Sequence, residues 1–120
     1  MSEKKFEIEE RLIDFSVAII FFVENLPFSK SATHLGGQLL RSGTSPALNY
    51  GEARSAESKT DFLHKMKICL KELRESSICL RIMQRANIFK SEKQLLDLLE
   101  ESNELISIFV KSINTASKKT

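Results

Sequence analysis

The sequence has few of the residues that interrupt long secondary structure elements. Its 120 residues include two prolines and four glycines, so the chain has few places at which it turns. Long elements with few breaks are typical of α-helices. No segment alternates apolar and polar residues with the period of two that half-buried strands show. These scarcities favour an all-α fold.

Tryptophan and tyrosine, two of the residues that stack on bases, are also scarce. Tryptophan is absent, and Tyr50 is the single tyrosine. Proteins that bind single-stranded nucleic acids commonly stack bases on aromatic rings. Any nucleic-acid binding by this chain should therefore act through the phosphate backbone and show little sequence preference.

The two cysteines predict neither a disulfide nor a metal site. Cys69 and Cys79 lie ten residues apart on one predicted helix, which separates them by roughly 15 Å and rules out a disulfide. Neither has a second cysteine or a histidine at metal-ligand spacing. The sequence also lacks the Glu-x-x-His pair of helical di-metal sites. We predict free, partly buried thiols, no metal and no cofactor.

Long apolar runs are missing as well. No run approaches the roughly 18 residues that a membrane-spanning helix needs. The first seven residues are rich in charge and lack the apolar block of a signal peptide. We expect a cytoplasmic protein with no membrane partner. A chain of this length fits one domain with one modest core, which we assign to residues 1–120.

Four segments carry apolar residues at the three- and four-residue spacing of helices that bury one face. Pro27 ends the first of these segments, and Ser91 with Gln94 forms a capping box at the start of the last. Short connections between long helices predict an antiparallel up-down-up-down four-helix bundle. The predicted helices span about residues 7–26, 30–53, 58–86 and 91–116.

Pro46 falls inside the second predicted helix. Proline removes one amide donor, and its ring clashes with the carbonyl four residues earlier, here that of Ser42. We expect a kinked but continuous helix that reaches about Ala53. A break with a fresh cap at Thr44 or Ser45 is the alternative.

The first helix has apolar residues on more than one side. Ile13, Ile20 and Val23 are expected to widen its buried face. Val17 and Phe21 fall on the opposite side, where an exposed phenylalanine indicates a contact between subunits.

Charge is unevenly distributed along the chain, whose net charge is +2. Three cations and six anions give residues 1–27 a charge of −3, whereas seven cations and four anions give residues 57–89 a charge of +3. This uneven distribution of charge could favour the binding of a polyanionic partner or contacts between subunits.

The third predicted helix carries a stripe of five cations. They fall within about an 80° sector and span roughly 27 Å along the axis, and no acid shares the sector. A stripe of one sign loses the pairs that mixed charges form four residues apart, and phosphate binding would explain it. The alternatives are a plain solvated face, or a face that meets the acidic first helix of a neighbouring subunit. The stripe consists of Lys67, Lys71, Arg74, Arg81 and Arg85.

A second stripe, of polar residues, follows the second helix. We interpret it as a hydrogen-bond network between helices that fixes their register. An enzymatic cleft is the less favoured alternative, because general acid–base catalysis needs a second carboxylate or a histidine nearby. We therefore predict no catalytic residues and no enzyme activity. The stripe consists of Gln38, Arg41, Ser45, Asn49 and Glu52.

Four segments resemble a known protein family. They are LGGQLLRSGTS at residues 35–45, NYGEA at 49–53, DFLHK at 61–65 and LKELRE at 70–75. They resemble the small bacterial four-helix bundle proteins named for intervening sequences of 23S ribosomal RNA genes. The resemblance covers nearly the whole chain and is strongest over residues 38–75. The sequence is also similar, more distantly, to the accessory variability determinant of diversity-generating retroelements, a basic bundle that partners a reverse transcriptase and nucleic acid.

This resemblance implies an antiparallel bundle that assembles as a ring, typically a homopentamer, and it implies no established catalytic residues. Two departures stand out: Pro46 replaces the family's usual aliphatic residue, and Ile78-Cys79 replaces a frequent aromatic pair. With the charge stripe, it predicts a non-catalytic oligomer that binds RNA or a ribonucleoprotein through a basic face. The alternative is a scaffold for another protein, with the stripe used in contacts between subunits.

Overall fold

The computed structural model describes residues 2–118, with side chains from Glu7 onward. Within this range the chain forms four α-helices and no strand, which confirms the predicted all-α fold. The molecule is elongated, with extents of 50 × 23 × 20 Å. The helices are α1 (Ser2–Glu24), α2 (Lys30–Arg54), α3 (Lys59–Arg85) and α4 (Glu92–Lys118).

The first helix differs most from its predicted bounds. It begins at Ser2, ahead of the predicted start near residue 7, because good helix formers such as glutamate and lysine extend the apolar segment without a break. It ends at Glu24. The next two amides, of Asn25 and Leu26, bond to carbonyls three residues back, since Pro27 disfavours helical geometry at Leu26. The bounds of α2, α3 and α4 lie within two residues of the prediction.

Serine side chains start three of the helices. The hydroxyls of Ser29 and Ser58 each accept a hydrogen bond of 3.0 Å from the amide three residues later. Ser91 accepts from the amide of Gln94 at 3.2 Å. Asn87 follows α3 with a φ of 57°, in the left-handed region that asparagine tolerates and that is common just after the end of a helix.

The second helix continues through Pro46. A single α-helix runs from Lys30 to Arg54 with Pro46 inside it. The helix is therefore continuous, and the alternative of a break with a new cap at Thr44 or Ser45 was wrong. The hydroxyl of Thr44 instead donates to the carbonyl of Leu40 at 2.7 Å, a bond typical of a threonine inside a helix rather than at its cap. The kink stays a prediction.

Cross-helix ion pairs place the end of α2 beside the starts of α1 and α3. Arg54, at the end of α2, pairs with Glu9 of α1 at 2.6 Å. Glu52 of α2 pairs with Lys65 near the start of α3 at 2.6 Å. In the described range α1 packs on α2 and α4, and α3 packs on the same two helices. This is the arrangement expected of an antiparallel bundle with short connections.

The predicted apolar faces form the core, but the buried face of α1 is narrower than predicted. Four residues at the three- and four-residue spacing of the first predicted helix are buried: Leu12, Phe15, Ile19 and Phe22. Ile13 and Ile20, which were expected to widen the buried face, are 41% and 40% exposed. The expectation was wrong for these two because α1 has neighbours only on its α2 and α4 sides. In the centre, the rings of Tyr50 and Phe109 meet edge to face at 5.9 Å.

Candidate nucleic-acid interface

The outer side of α3 carries the five predicted cations. All five side chains are exposed, and no described residue forms an ion pair or hydrogen bond with any of them. We call this surface the basic face. Its cations are Lys67, Lys71, Arg74, Arg81 and Arg85.

Burial on the opposite side of α3 sets the direction of these cations. The helix buries Met66, Leu73, Leu80 and Met83, which recur at the spacing of one helical face. Glu75 borders the groove beside Lys71 and Arg74, but it and Glu72 are paired with an arginine of α2 rather than with these cations. Arg41 of α2 binds Glu72 at 2.9 Å and also binds Glu75, so both carboxylates are engaged at the α2–α3 interface.

Two isoleucines lie among the cations of the basic face. Ile78 is 55% exposed and Ile82 is 47% exposed. Ile78 lines a shallow groove of about 470 Å³ with Leu70 and Arg74, and a second one of about 250 Å³ with Ile82 and Arg85. Neither residue was predicted as part of the face, although the spacing from Lys67 places Ile78 in the sector of the cations and Ile82 about 20° beyond it.

The polar stripe of α2 is divided among separate contacts. Arg41 reaches across to α3, as does Glu52, which accepts from Lys65. Asn49 instead donates within α2, to the carbonyl of Ser45 at 3.1 Å and to its hydroxyl at 2.9 Å. Gln38 is exposed and forms no hydrogen bond with the described residues. Two of the five residues thus join helices, and two bond to each other within α2.

A buried serine pair also joins α2 to α3. Ser42 and Ser76 are fully buried, and the hydroxyl of Ser76 lies 2.9 Å from that of Ser42 and 3.0 Å from the carbonyl of Glu72. Ser42 falls at the spacing of the inner side of α2, but the sequence did not indicate Ser76 as its partner. A serine at a core position of the apolar stripe was the only available signal.

The described residues show no arrangement typical of catalysis. The carboxylate of Glu52 is engaged by Lys65 at 2.6 Å. No group of three metal-ligating side chains occurs among residues 7–118. Burial raises the pKa of Cys69 to about 12 and that of Cys79 to about 11, so both thiols are protonated at neutral pH and are poor nucleophiles. No helix in the described range is long and apolar enough to cross a membrane.

Comparison with known proteins agrees with this architecture. The model of the 23S rRNA-intervening sequence protein family matches residues 4–111. The structure is similar to the crystal structure of a protein of unknown function from the S23 ribosomal protein family of Bacteroides thetaiotaomicron, with a TM-score of 0.81 and 28% identity. That match covers 92% of this chain and 98% of the other. No curated protein matches the chain. The distant similarity to the accessory variability determinant stays a prediction.

Proposed function

Because this chain belongs to the 23S rRNA-intervening sequence protein family, we propose that it is a non-catalytic, self-associating protein that binds RNA through the basic face of α3. The observation that carries this proposal is the absence of an acidic partner, among the residues described, for any of the five exposed cations. The protomer pairs its other arginines, Arg11, Arg41 and Arg54, with acids.

An unpaired row of cations suits a phosphate backbone. Like charges along one helix repel each other, and phosphates between them would relieve that repulsion. Each phosphate that is neutralised also releases condensed counterions, which favours binding at low salt. The row spans roughly 27 Å, which is long enough to contact several successive phosphates. Because the face lacks aromatic rings, contacts to the backbone should dominate over contacts to bases.

The test is binding of a structured RNA hairpin, measured by fluorescence anisotropy at two salt concentrations. We expect affinity to fall steeply as salt rises. Lys71→Gln combined with Arg74→Gln should weaken binding by about tenfold and lower the salt dependence. The matched control is Lys30→Gln with Lys111→Gln, which removes two exposed lysines of α2 and α4 and should leave affinity unchanged. Equal anisotropy with and without protein at low salt would refute the proposal.

Ile78 and Ile82 favour a second candidate function. Exposed isoleucines contribute little to phosphate binding but are typical of protein interfaces. In this alternative the protein is an oligomeric scaffold for another protein, and the basic face is used between subunits. Arg74→Glu with Arg81→Glu should then lower the mass found by light scattering, and an unchanged mass would count against it. The same experiment measures the ring size, for which the family resemblance predicts five copies of the 13.7 kDa chain.

Under either candidate the four helices act as one domain in the cytoplasm. That location suits Cys69 and Cys79, which are free thiols, because cytosolic conditions keep thiols reduced.

A further inference from the structure

One connection between helices carries a fully exposed aromatic ring. Phe28 lies between α1 and α2, and it is the most exposed of the large apolar side chains in the described range. The connection between α3 and α4 also holds a phenylalanine, but Phe89 packs partly against the core. The ring of Phe28, unlike that of Phe89, therefore contributes nothing to the packing of the protomer.

The backbone on both sides of Phe28 is held in place. Leu26 packs against α2, where a methyl group added at Gly36 would lie 3.0 Å from the Cδ1 atom of Leu26. Ser29 caps α2 by accepting a hydrogen bond of 3.0 Å from the amide three residues later, and Pro27 has a fixed φ. The aromatic ring is thus presented outward from a short, anchored connection.

This connection lies at the end of the bundle where the basic face ends. The thiol of Cys79 donates to the carbonyl of Leu35, so these two residues of α3 and α2 lie at the same height. The two helices run in opposite directions, and Phe28, seven residues before Leu35, is therefore close to the level of residue 86. A strand that follows the basic face past Arg85 arrives at the end of the bundle that carries Phe28.

The two connections at this end bring positive charge and no acid. Residues 25–35 and 81–91 contain no aspartate or glutamate, whereas residues 52–62, around the connection at the opposite end, contain three acids and two cations. The cations at the end with Phe28 are all exposed, and none has an ion-pair or hydrogen-bond partner among the described residues. Charge therefore favours an anionic partner at this end. The four cations are Lys30, Arg81, Arg85 and Lys90.

From this placement we infer that this end of the bundle binds an unpaired nucleotide segment, which extends from an RNA helix on the basic face. Phe28 stacks on one base of the segment, and Lys30 and Lys90 contact its phosphates. The inference rests on the proposed function and names its substrate class, an RNA helix with an unpaired tail.

An unpaired nucleotide suits both the aromatic ring and the cations. A base inside a duplex is stacked on both sides, whereas an unpaired base can offer one face to a protein side chain. Its phosphate brings the negative charge that the lysines and arginines attract. A protein partner could also cover the aromatic ring, but two connections with four cations and no acid favour a polyanion. Because every base has a π-face, the segment should be bound with little sequence preference.

The test compares one RNA hairpin without a tail with the same hairpin carrying an unpaired tail on its 5′ or its 3′ end. Fluorescence anisotropy with the full chain measures the affinities. One of the tailed forms should bind about tenfold more tightly than the tail-free hairpin. Phe28→Ala should remove most of this gain and leave the affinity for the tail-free hairpin unchanged. Because the side chain is fully exposed, this substitution should not disturb folding.

A second variant measures the stacking directly. The chain contains no tryptophan, so Phe28→Trp introduces a single indole whose fluorescence a stacked base quenches. Its fluorescence should fall with the tailed hairpin and not with the tail-free one, and the tighter binding of tailed RNA should be kept. Phe28→Leu should bind as Phe28→Ala does, because leucine is apolar but offers no aromatic face.

The contribution of the cations is tested separately. Lys30→Gln with Lys90→Gln should weaken binding of the tailed hairpin and lower its salt dependence. The tail-free hairpin does not reach these two lysines, so its affinity should not change. The matched control for the aromatic ring is Leu48→Ala, which removes a side chain of α2 that is 70% exposed and should leave both affinities unchanged.

Several results would overturn the inference. Equal affinity of the unmodified protein for tailed and tail-free hairpins is one, and undiminished binding of tailed RNA by Phe28→Ala is another. Full binding of tailed RNA by Phe28→Leu would assign the side chain to a merely apolar contact, as with a protein partner. None of these results touches the proposed function, which requires only that the tail-free hairpin binds. Absence of binding to every RNA would overturn both.

Discussion

The helices pack closely around α2, which we call the tight side of the bundle. They pack less closely where α1 meets α4, which we call the loose side. On the tight side, a methyl group added at Gly43 would lie 2.8 Å from Ile19, and the hydroxyls of Ser42 and Ser76 touch at 2.9 Å. On the loose side, a groove of about 320 Å³ separates α1 from α4. Small side chains let α2 approach both of its neighbours closely, whereas larger side chains hold helices farther apart.

The two sides also differ in how their charges are paired. On the tight side, Arg41 binds Glu72, whose side chain is only 11% exposed. On the loose side, Arg11 binds Glu101 at 2.7 Å and Glu104 at 3.0 Å, and those carboxylates are 30% and 58% exposed. The same chemical pair should therefore matter more for stability in the first setting than in the second.

The largest expected difference in the free energy of unfolding between the two sides comes from replacing a small side chain by a larger one. Ser42→Leu forces a larger side chain into a fully buried position and should lower the free energy of unfolding by about 3 kcal/mol. Ala18→Leu adds similar volume where α1 borders the groove and should change it by less than about 1 kcal/mol. Urea denaturation measures both. Equal losses would show that the groove is filled or closed in solution.

Replacing one arginine on each side by alanine should give a smaller difference in the free energy of unfolding between the two sides. Arg41→Ala leaves the carboxylate of Glu72 nearly buried without its partner, and the free energy of unfolding should fall by about 2 kcal/mol. Arg11→Ala leaves carboxylates that water can reach, so we expect a loss of about 1 kcal/mol or less. Adding Glu72→Gln to Arg41→Ala should recover much of the first loss. If the two arginine variants are equally stable, burial of Glu72 does not set the strength of its ion pair.

Two glycines of α2 should respond to alanine with opposite signs. A methyl group at Gly43 would meet Ile19, whereas one at Gly37 would have no atom within 4 Å. Gly43→Ala should therefore lower stability by about 1 kcal/mol. Gly37→Ala should raise it by about 0.5 kcal/mol, because alanine loses less backbone entropy in a helix. Thermal unfolding of both variants measures whether stability falls or rises. A gain in stability for Gly43→Ala would contradict the close packing of α1 on α2.

The smallest expected effect concerns the rate at which thiols are labelled in the native protein. Cys69 and Cys79 lie between α3 and α2, and their thiols donate to the carbonyls of Pro46 and Leu35. At pH 8 we expect no labelling by a maleimide within minutes, and full labelling in urea. Ala18→Cys, on the loose side, should react at once in native buffer. Rapid native labelling of Cys69 or Cys79 would show that the tight side opens locally.

The same thiols predict how stability depends on pH. Burial raises the pKa of Cys69 to about 12 and that of Cys79 to about 11, from an ordinary value of 9.0. A raised pKa means that the folded state holds the proton more tightly than the unfolded state. Their contribution is therefore complete below pH 9.0 and is lost as pH rises through about 11 for Cys79 and about 12 for Cys69. Replacement of both cysteines by alanine should reduce this alkaline loss in urea titrations.

Local features of the fold could be predicted because they depend on near neighbours in the chain. The burial of Leu12, Phe15 and Ile19 follows from their spacing alone. The caps at Ser29 and Ser91 likewise involve only residues three positions away. These interactions form within one or two turns, so the linear sequence contains all of their partners.

Features of the candidate site depend on which helices become neighbours. Arg41 finds Glu72 and Glu75 on another helix, whereas Asn49, with a similar position in the stripe, turns to Ser45 within its own helix. The sequence analysis treated both as one network. It also expected Ile13 and Ile20 to be buried, because an apolar residue gives no indication of which sides of its helix have neighbours.

The sequence by itself determined four helices, their caps and stops, the inner face of each helix, and the row of cations on α3, because helical periodicity converts spacing directly into direction. Only the tertiary structure decided that Glu72 and Glu75 turn to Arg41 and that Ser42 meets Ser76. Those facts depend on the order in which four helices pack and on how closely each pair approaches. Both are set by side chains that are distant in the chain.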